Sequence, residues 1–339
     1  MLTIPTLPES EPTHDGELLA PFLAEGQHAL AEGWFRWLAE QVDLLQLAAD
    51  TVSTYRRGLK AWLVFLDTIA QTDRPTAGTV SSYLVALIPG RCPATVNLHL
   101  AALRALYRWT ESHDIYPNIA RSARAVRVYR DGPLPCLAHA QVAGLVSGIV
   151  GNDLGALRDR ALIKTLYGSA CRAVSMARAT VGDLDLASGV LRHRPKGHRA
   201  TDAIAYLPVG ATTALTSYLA AREHVLHFTA CDPLFIALDH CSLGSPLTTC
   251  SMRAVVRKAM ERMGHVRRGP DGRLVQAGVW SAHSLRRSAL TTAVDAHGFE
   301  AARIVAGHAN VETTRRAYVR AKADEQMRQV RSSLDLIDT

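Results

Sequence analysis

The sequence predicts a mainly α-helical protein of two units, with a small β-hairpin set into the second. Three observations carry this. Apolar residues recur at steps of three and four through the first third of the chain. A stretch holding Gly132, Pro133 and Pro135 breaks that rhythm. Farther on, two short apolar runs flank Pro195-Lys196-Gly197, the spacing of a strand–turn–strand. At 339 residues, 48% apolar and 20% charged, the chain has the size of two globular domains, each able to bury a core. No window approaches the ~20 apolar residues of a membrane span, so no membrane partner is expected. The N-terminus shows neither a basic nor an apolar signal region, which points to the cytoplasm. Cys92, Cys136, Cys171, Cys231, Cys241 and Cys250 are scattered without a CxxC pair, so free thiols are expected rather than disulfides or zinc.

Residues 1–23 place Pro5, Pro8, Pro12 and Pro21 among acids and read as a flexible acidic leader. Residues 24–128 read as a helical bundle. Val52, Tyr55, Leu59, Trp62, Leu66 and Ile69 form one face of an amphipathic helix, with Arg56, Arg57 and Lys60 on another side. A shorter helix carries Val80, Tyr83, Leu84 and Leu87 and stops at Pro89-Gly90. Thr95 then reads as the N-cap of a helix with Val96, Leu100, Leu103 and Tyr107 on its stripe, and Asn97, Arg104 and Arg108 off it. Residues 129–136 read as a linker, and 137–339 as the second unit. Its pattern gives helices at 138–150 and 156–171, strands at 189–194 and 203–209, and helices at 211–224, 248–263, 284–297, 300–306 and 311–331. A polar loop with an Asp271-Gly272 turn covers 264–278.

Charge is distributed unevenly. Residues 1–50 hold one Arg against nine acids, residues 51–130 hold eleven basic residues against four, and the rest holds 26 against 18. Beyond the leader, both units are basic and suit a polyanionic partner. Arg56, Arg57, Lys60, Asn97, Arg104 and Arg108 are the candidate DNA contacts. Each has two readings: a solvated helix face, or a group that meets phosphates with sequence-tolerant, salt-sensitive affinity.

Four patches of the second unit could carry chemistry: Tyr167-Gly-Ser-Ala-Cys-Arg172; Pro195-Lys196-Gly197; His283-Ser-Leu-Arg286, whose i, i+3 spacing puts an imidazole and a guanidinium on one helix face; and Ala306-Gly-His308, followed by Tyr318. Taken singly, each is as well explained by a surface or core residue. No carboxylate or Cys stands at a metal-ligand spacing from the histidines, so no metal and no cofactor are expected.

In order, Arg, Lys, HxxR, GH and Tyr resemble the catalytic set of the tyrosine recombinases, the family of the phage integrases and the Cre- and Xer-type enzymes. Leu157-Arg-Asp-Arg-Ala-Leu-Ile, His283-Ser-Leu-Arg-Arg-Ser-Ala-Leu-Thr-Thr and Ala306-Gly-His-Ala-Asn-Val-Glu-Thr-Thr support the likeness. In the first unit, Thr95-Val-Asn-Leu-His-Leu-Ala-Ala-Leu-Arg-Ala-Leu-Tyr-Arg-Trp resembles the family's core-binding, DNA-clamping domain. The resemblance implies an α+β catalytic domain and metal-free cutting and rejoining of double-stranded DNA at a specific site. It implies a 3′-phosphotyrosyl intermediate and a tetramer on two sites. It makes Arg172, Lys196, His283, Arg286 and His308 the groups around a Tyr318 nucleophile. It departs from the family's habit at Ser175, where an acid is common, at Arg287, where His is frequent, and in the ten-residue step from His308 to Tyr318. Met327, Val330, Leu334 and Ile337 continue a helical spacing. That face packs either on its own domain or, as the resemblance implies, on a neighbouring subunit. Two rivals share these residues: a DNA-binding or architectural protein with weak or lost catalysis, and a topoisomerase-like relaxase without site choice.

Overall fold

The structure is a computed structural model. It describes residues 20–44, 47, 49–70, 74–128, 136–194, 203–270, 274–275, 280–307, 310–319 and 322. Most of the predicted leader and linker, Lys196, His308 and the C-terminal stripe from Met327 lie outside the described residues. The chain divides into two compact units, Met1–Arg130 and Asp131–Thr339.

The first unit contains α1 (Ala20–Asp43), α2 (Ala49–Thr68), α3 (Ala77–Leu87) and α4 (Pro93–Ser112). Its core takes Leu30, Trp34 and Leu38 from α1, Leu59, Trp62 and Leu66 from α2, Val80 and Tyr83 from α3, and Val96, Leu100, Leu103 and Tyr107 from α4. Those of α2, α3 and α4 are the stripes that the apolar spacing predicts, with one exception. Ile69 falls just past the end of α2 and is exposed. Gly58 lets α2 and α4 meet closely, since a Cβ there would stand 3.1 Å from the Cβ of Ala102. Inside the bundle the Trp62 indole donates to the Tyr107 hydroxyl at 3.1 Å, which donates to Gln27 Oε1 at 2.8 Å. Trp62 and Tyr107 are thus buried with their polar ends paired. Two helix starts differ from expectation. The short first stretch of α1, with Pro21 in its first turn where a missing N–H costs nothing, lies in the predicted leader, and a break at Gly26, φ 71°, separates it from the rest of the helix. Helix α4 begins at Pro93 after Cys92, for the same reason, leaving Thr95 inside the first turn rather than capping it.

The second unit is built around α6 (Leu154–Ser169), whose Ala161, Leu162, Ile163 and Leu166 are fully buried. Packed with it are α5 (His139–Ser147), the one-turn α7 (Ala173–Met176), α8 (Val209–Glu223), α9 (Thr249–Arg262) and α10 (Ala282–Ala306), and a further helix, α11, covers 311–319. Strands β1 (Leu184–Asp185), β2 (Val190–His193) and β3 (Ala203–Tyr206) form an antiparallel meander, with Leu191 paired to both Leu184 and Ala205. Helix α10 contains a break at Gly298, where φ is 82°, so it is two helices joined across a kink, as the expected 284–297 and 300–306 segments require. The predicted 264–278 loop needs correction. It holds the ladder of β4 (Arg267–Arg268) and β5 (Leu274–Val275), whose two-residue strands are too short to leave an alternating pattern.

Candidate active site

Arg172 is placed by the end of α6. Gly168 lets this helix approach α8, because a Cβ there would sit 2.5 Å from the ring of Pro208. After Ser169 the chain reverses through Ala170, a non-glycine residue in the left-handed region at φ 49°, ψ 20°. Such a conformation costs an L-residue roughly 1–2 kcal/mol. Cys171 is then buried, and Arg172 emerges half-buried as the residue before α7.

Arg286 ties this junction to the far end of α10. It is 4% exposed. Its Nη1 donates to the carbonyl of Ala170, and its Nη2 to the carbonyl of Ala306 at 2.6 Å. Both acceptors are last carbonyls of helices, the ends where the peptide dipoles concentrate negative charge. Two backbone carbonyls thus hold the buried guanidinium in place. Burial first, and the nearby Arg172 second, bring its pKa down to about 10, so it stays cationic at neutral pH. One side chain thus links the segment leading into Arg172 with the one leading into His308.

His283 opens α10, where the Ser281 hydroxyl accepts from its backbone N–H at 3.3 Å and Ser284 reciprocates from the third position. The side chain reaches the surface, yet the protein packed around its ring and then the charges of Arg287, Arg286, Arg172 and Arg253 push its pKa down to about 4. The imidazole is therefore neutral at physiological pH and available to accept a proton. These causes also show that the structure brings Arg172, His283 and Arg286 together. They add two cations that sequence reasoning missed, Arg287 and Arg253 from α9. Among the described residues no carboxylate pairs with Arg172. The result is a cationic cradle at a helix N-terminus, suited to an anion.

Ser175, buried at 2% exposure, stands three residues after Arg172, where the resemblance leads one to expect an acid. Its hydroxyl donates to the carbonyl of Arg194 at 2.9 Å. An ionised carboxylate could not make that bond. Ser175 thereby holds the end of β2 beside α7, two residues before Lys196.

Tyr318 lines a small cavity with Arg287, Leu290, Thr291 and Val294 of α10. Its hydroxyl donates to Asp295 Oδ1 at 2.9 Å, and its ring meets Phe299 edge-on, with centroids 5.3 Å apart at 84°. Asp295 lies nine residues after Arg286 on an unbroken stretch of α10. In a helix that is about 13 Å along the axis and half a revolution around it. The arginines and His283 are grouped, and the Tyr318 hydroxyl is engaged by Asp295.

In the first unit, Arg56, Arg57, Lys60 and Arg108 are exposed. The Arg56 guanidinium lies over the Phe35 ring, 4.8 Å from its centroid, and Arg57 reaches back to the Ser53 carbonyl. Asn97 and Arg104 are different. The Asn97 side-chain amide exchanges two 2.8 Å hydrogen bonds with the backbone of Val126, and Arg104 donates to the Ala123 carbonyl at 2.5 Å. Both brace the 120s segment.

Residues 136–325 match the phage integrase family, and residues 33–113 match the phage integrase N-terminal SAM-like domain. Tyrosine recombinase XerC of Yersinia pestis is 28% identical over 290 residues, covering 84% of this chain and 87% of that protein. XerH recombinase bound to a palindromic difH substrate, in a post-cleavage complex, has a similar fold. Its TM-score is 0.63 at 20% identity, with 83% of this chain and 79% of that one covered. A lambda integrase tetramer bound to a Holliday junction gives a TM-score of 0.58 at 15% identity, covering 89% of this chain and 83% of that one. With the matched region spanning more than half of the chain and the ordered Arg, HxxR and Tyr boxes falling within it, the protein belongs to the phage integrase family, whose members are tyrosine recombinases.

Proposed function

We propose that this recombinase cuts and rejoins double-stranded DNA at a specific site through a 3′-phosphotyrosyl intermediate, as a tetramer on two sites. The observation that carries the reading is the preassembled cluster of Arg172, Arg286 and a neutral His283, with no carboxylate paired to Arg172 among the described residues. Arg172 and Arg286 grip the non-bridging oxygens of the scissile phosphate and neutralise the charge that grows on them. The Tyr318 oxygen forms a bond to phosphorus as the bond to the 5′-oxygen breaks. The phenolic proton passes to His283, Lys196 gives a proton to the departing 5′-oxygen, and His308 donates to a non-bridging oxygen. A 5′-hydroxyl of the partner strand reverses the sequence, so bond energy is conserved without a cofactor. Arg56, Arg57, Lys60 and Arg108 of the first unit meet backbone phosphates and make affinity fall with salt. The tetramer draws support from the similarly folded lambda integrase on its junction. Cytoplasmic DNA, at the nucleoid, is the expected place of work.

The rival reading, a DNA-binding protein with weak catalysis, draws on the engagement of the Tyr318 hydroxyl by Asp295. Covalent trapping separates the two. Fragments of the source replicon incubated with the protein, denatured and sequenced from the protein-linked fraction should converge on one motif for the wild type and yield nothing for Tyr318→Phe. Linked fragments without a shared motif would mean relaxation without site choice. No linked fragment would refute the recombinase reading.

A further inference from the structure

The second unit holds a cavity of 780 Å³ between α5, α6 and the start of α8, and none of the residues assigned to cleavage lines it. That volume falls within the roughly 300–1,000 Å³ of small-molecule sites. Val142 and Val146 of α5, Ile149 beyond that helix and Ala211 of α8 give it apolar walls. Its two permanent cations, Arg160 and Lys164, stand one turn apart on α6, and among the described residues no Asp or Glu lines it. Most of its polar groups are already engaged. Arg160 donates to the carbonyls of Ile149 and Gly151 at 2.9 and 2.7 Å and to Asn152 Oδ1 at 3.1 Å. The Tyr167 hydroxyl lies 3.3 Å from both His139 Nδ1 and Thr292 Oγ1. Lys164 is the exception: it is half-buried and has no partner among the described residues. A Cβ built on Gly210 would stand 4.0 Å from its Nζ, so the ammonium reaches the first turn of α8. Peptide dipoles oppose a cation there, and a half-buried charge without a counter-ion is unfavourable. An anion from outside would relieve both.

We propose that this cavity binds a small carboxylic acid, with its carboxylate on Lys164 and its apolar body against Val142, Val146, Ile149 and Ala211. A monoanion matches the site because one cation lacks a partner while the other is held by three acceptors. A phosphate monoester, with nearly two charges at neutral pH, would find a counter-ion for only one of them. Apolar walls keep water from the ion pair, which makes it stronger than the same pair on an open surface. A DNA phosphate would satisfy the ammonium but leave those walls uncovered, so the cavity fits an amphiphile better than a duplex backbone.

Calorimetric titration of the full chain with 2-naphthoate and with the neutral 2-naphthamide tests this. The acid should bind about tenfold more tightly than the amide. Lys164→Met keeps the length of the side chain and removes its charge, so it should abolish that preference, while Lys164→Arg should keep most of it. Val146→Trp fills the cavity and should weaken both probes; the two lysine variants carry the test if it fails to fold. Thermal melts should find Lys164→Met at least as stable as the wild type, since no partner is lost. A marked fall in its melting temperature would show that the fold already pairs this cation, and would overturn the proposal. Equal affinity for acid and amide, affinity for the acid unchanged in Lys164→Met, or no binding of the acid would overturn it as well. So would displacement of the acid by duplex DNA of random sequence together with weaker DNA binding in Lys164→Met, because the ammonium would then be a backbone contact.

Discussion

The two ends of α10 are held by opposite means. At its start, the cradle is part of the fold: Arg286 is buried and clamped between two helix-end carbonyls, so charge is in place before any substrate arrives. Near its other end, the Tyr318 hydroxyl donates to a half-exposed carboxylate and its ring meets Phe299. Electrostatic catalysis benefits from dipoles that need not reorganise during the reaction. The contrast is between a cation fixed in the interior and a hydroxyl held by a half-exposed carboxylate.

Removing the clamp should break both sides of this comparison at once. Arg286→Ala leaves the Ala170 and Ala306 carbonyls without that donor and opens a buried void. Stability should fall by about 2–5 kcal/mol and covalent trapping should vanish, as read by denaturant melts and adduct yield. Arg172→Ala sharpens it by sparing the fold. This half-buried cation helps depress both Arg286 and His283. Its loss should cut the adduct rate by about 10²–10³ while the melting temperature holds or rises. A parallel drop in stability would show that Arg172 too is structural.

Ser175→Ala should act more gently, and through Lys196. With the Arg194 carbonyl released, adduct formation should slow several-fold on a normal substrate. It should recover on one whose 5′-bridging oxygen is replaced by sulfur, a leaving group that needs no proton donor. A defect that persists with sulfur would mean that Ser175 serves only the fold.

The smallest effect concerns pH. His283 titrates near 4 in the folded protein and near 6.5 unfolded, so the unfolded chain binds more protons between those values. This group's contribution to stability is complete above about pH 6.5 and is lost as pH falls toward 4. His283→Gln should flatten that part of the melting-temperature profile. An unchanged profile would place the imidazole outside the cationic cluster.

Much of this was legible in the sequence for a definite reason. Buried stripes such as Leu59-Trp62-Leu66 follow from helical period, and the ordered boxes at Arg172, His283, Arg286 and Tyr318 fall in the region that matches the phage integrase family. What stayed hidden depends on partners distant in the chain. Asn97 looks like a surface amide until Val126, 29 residues on, takes both ends of it. Arg253 has no motif and gains meaning only when α9 brings it near His283. Asp295 has no signal of its own either, because its contact with Tyr318 depends on where the segment carrying that residue comes to rest. The left-handed turn at Ala170 is invisible because alanine gives no hint of positive φ.

The central claim is best tested by locating the covalent bond. Protein trapped on replicon DNA, digested with nuclease and protease, is analysed by tandem mass spectrometry. The account predicts a single modified peptide, with a 3′-linked nucleotide phosphate on the oxygen of Tyr318. A nucleotide attached to any other residue, or to none, would contradict it.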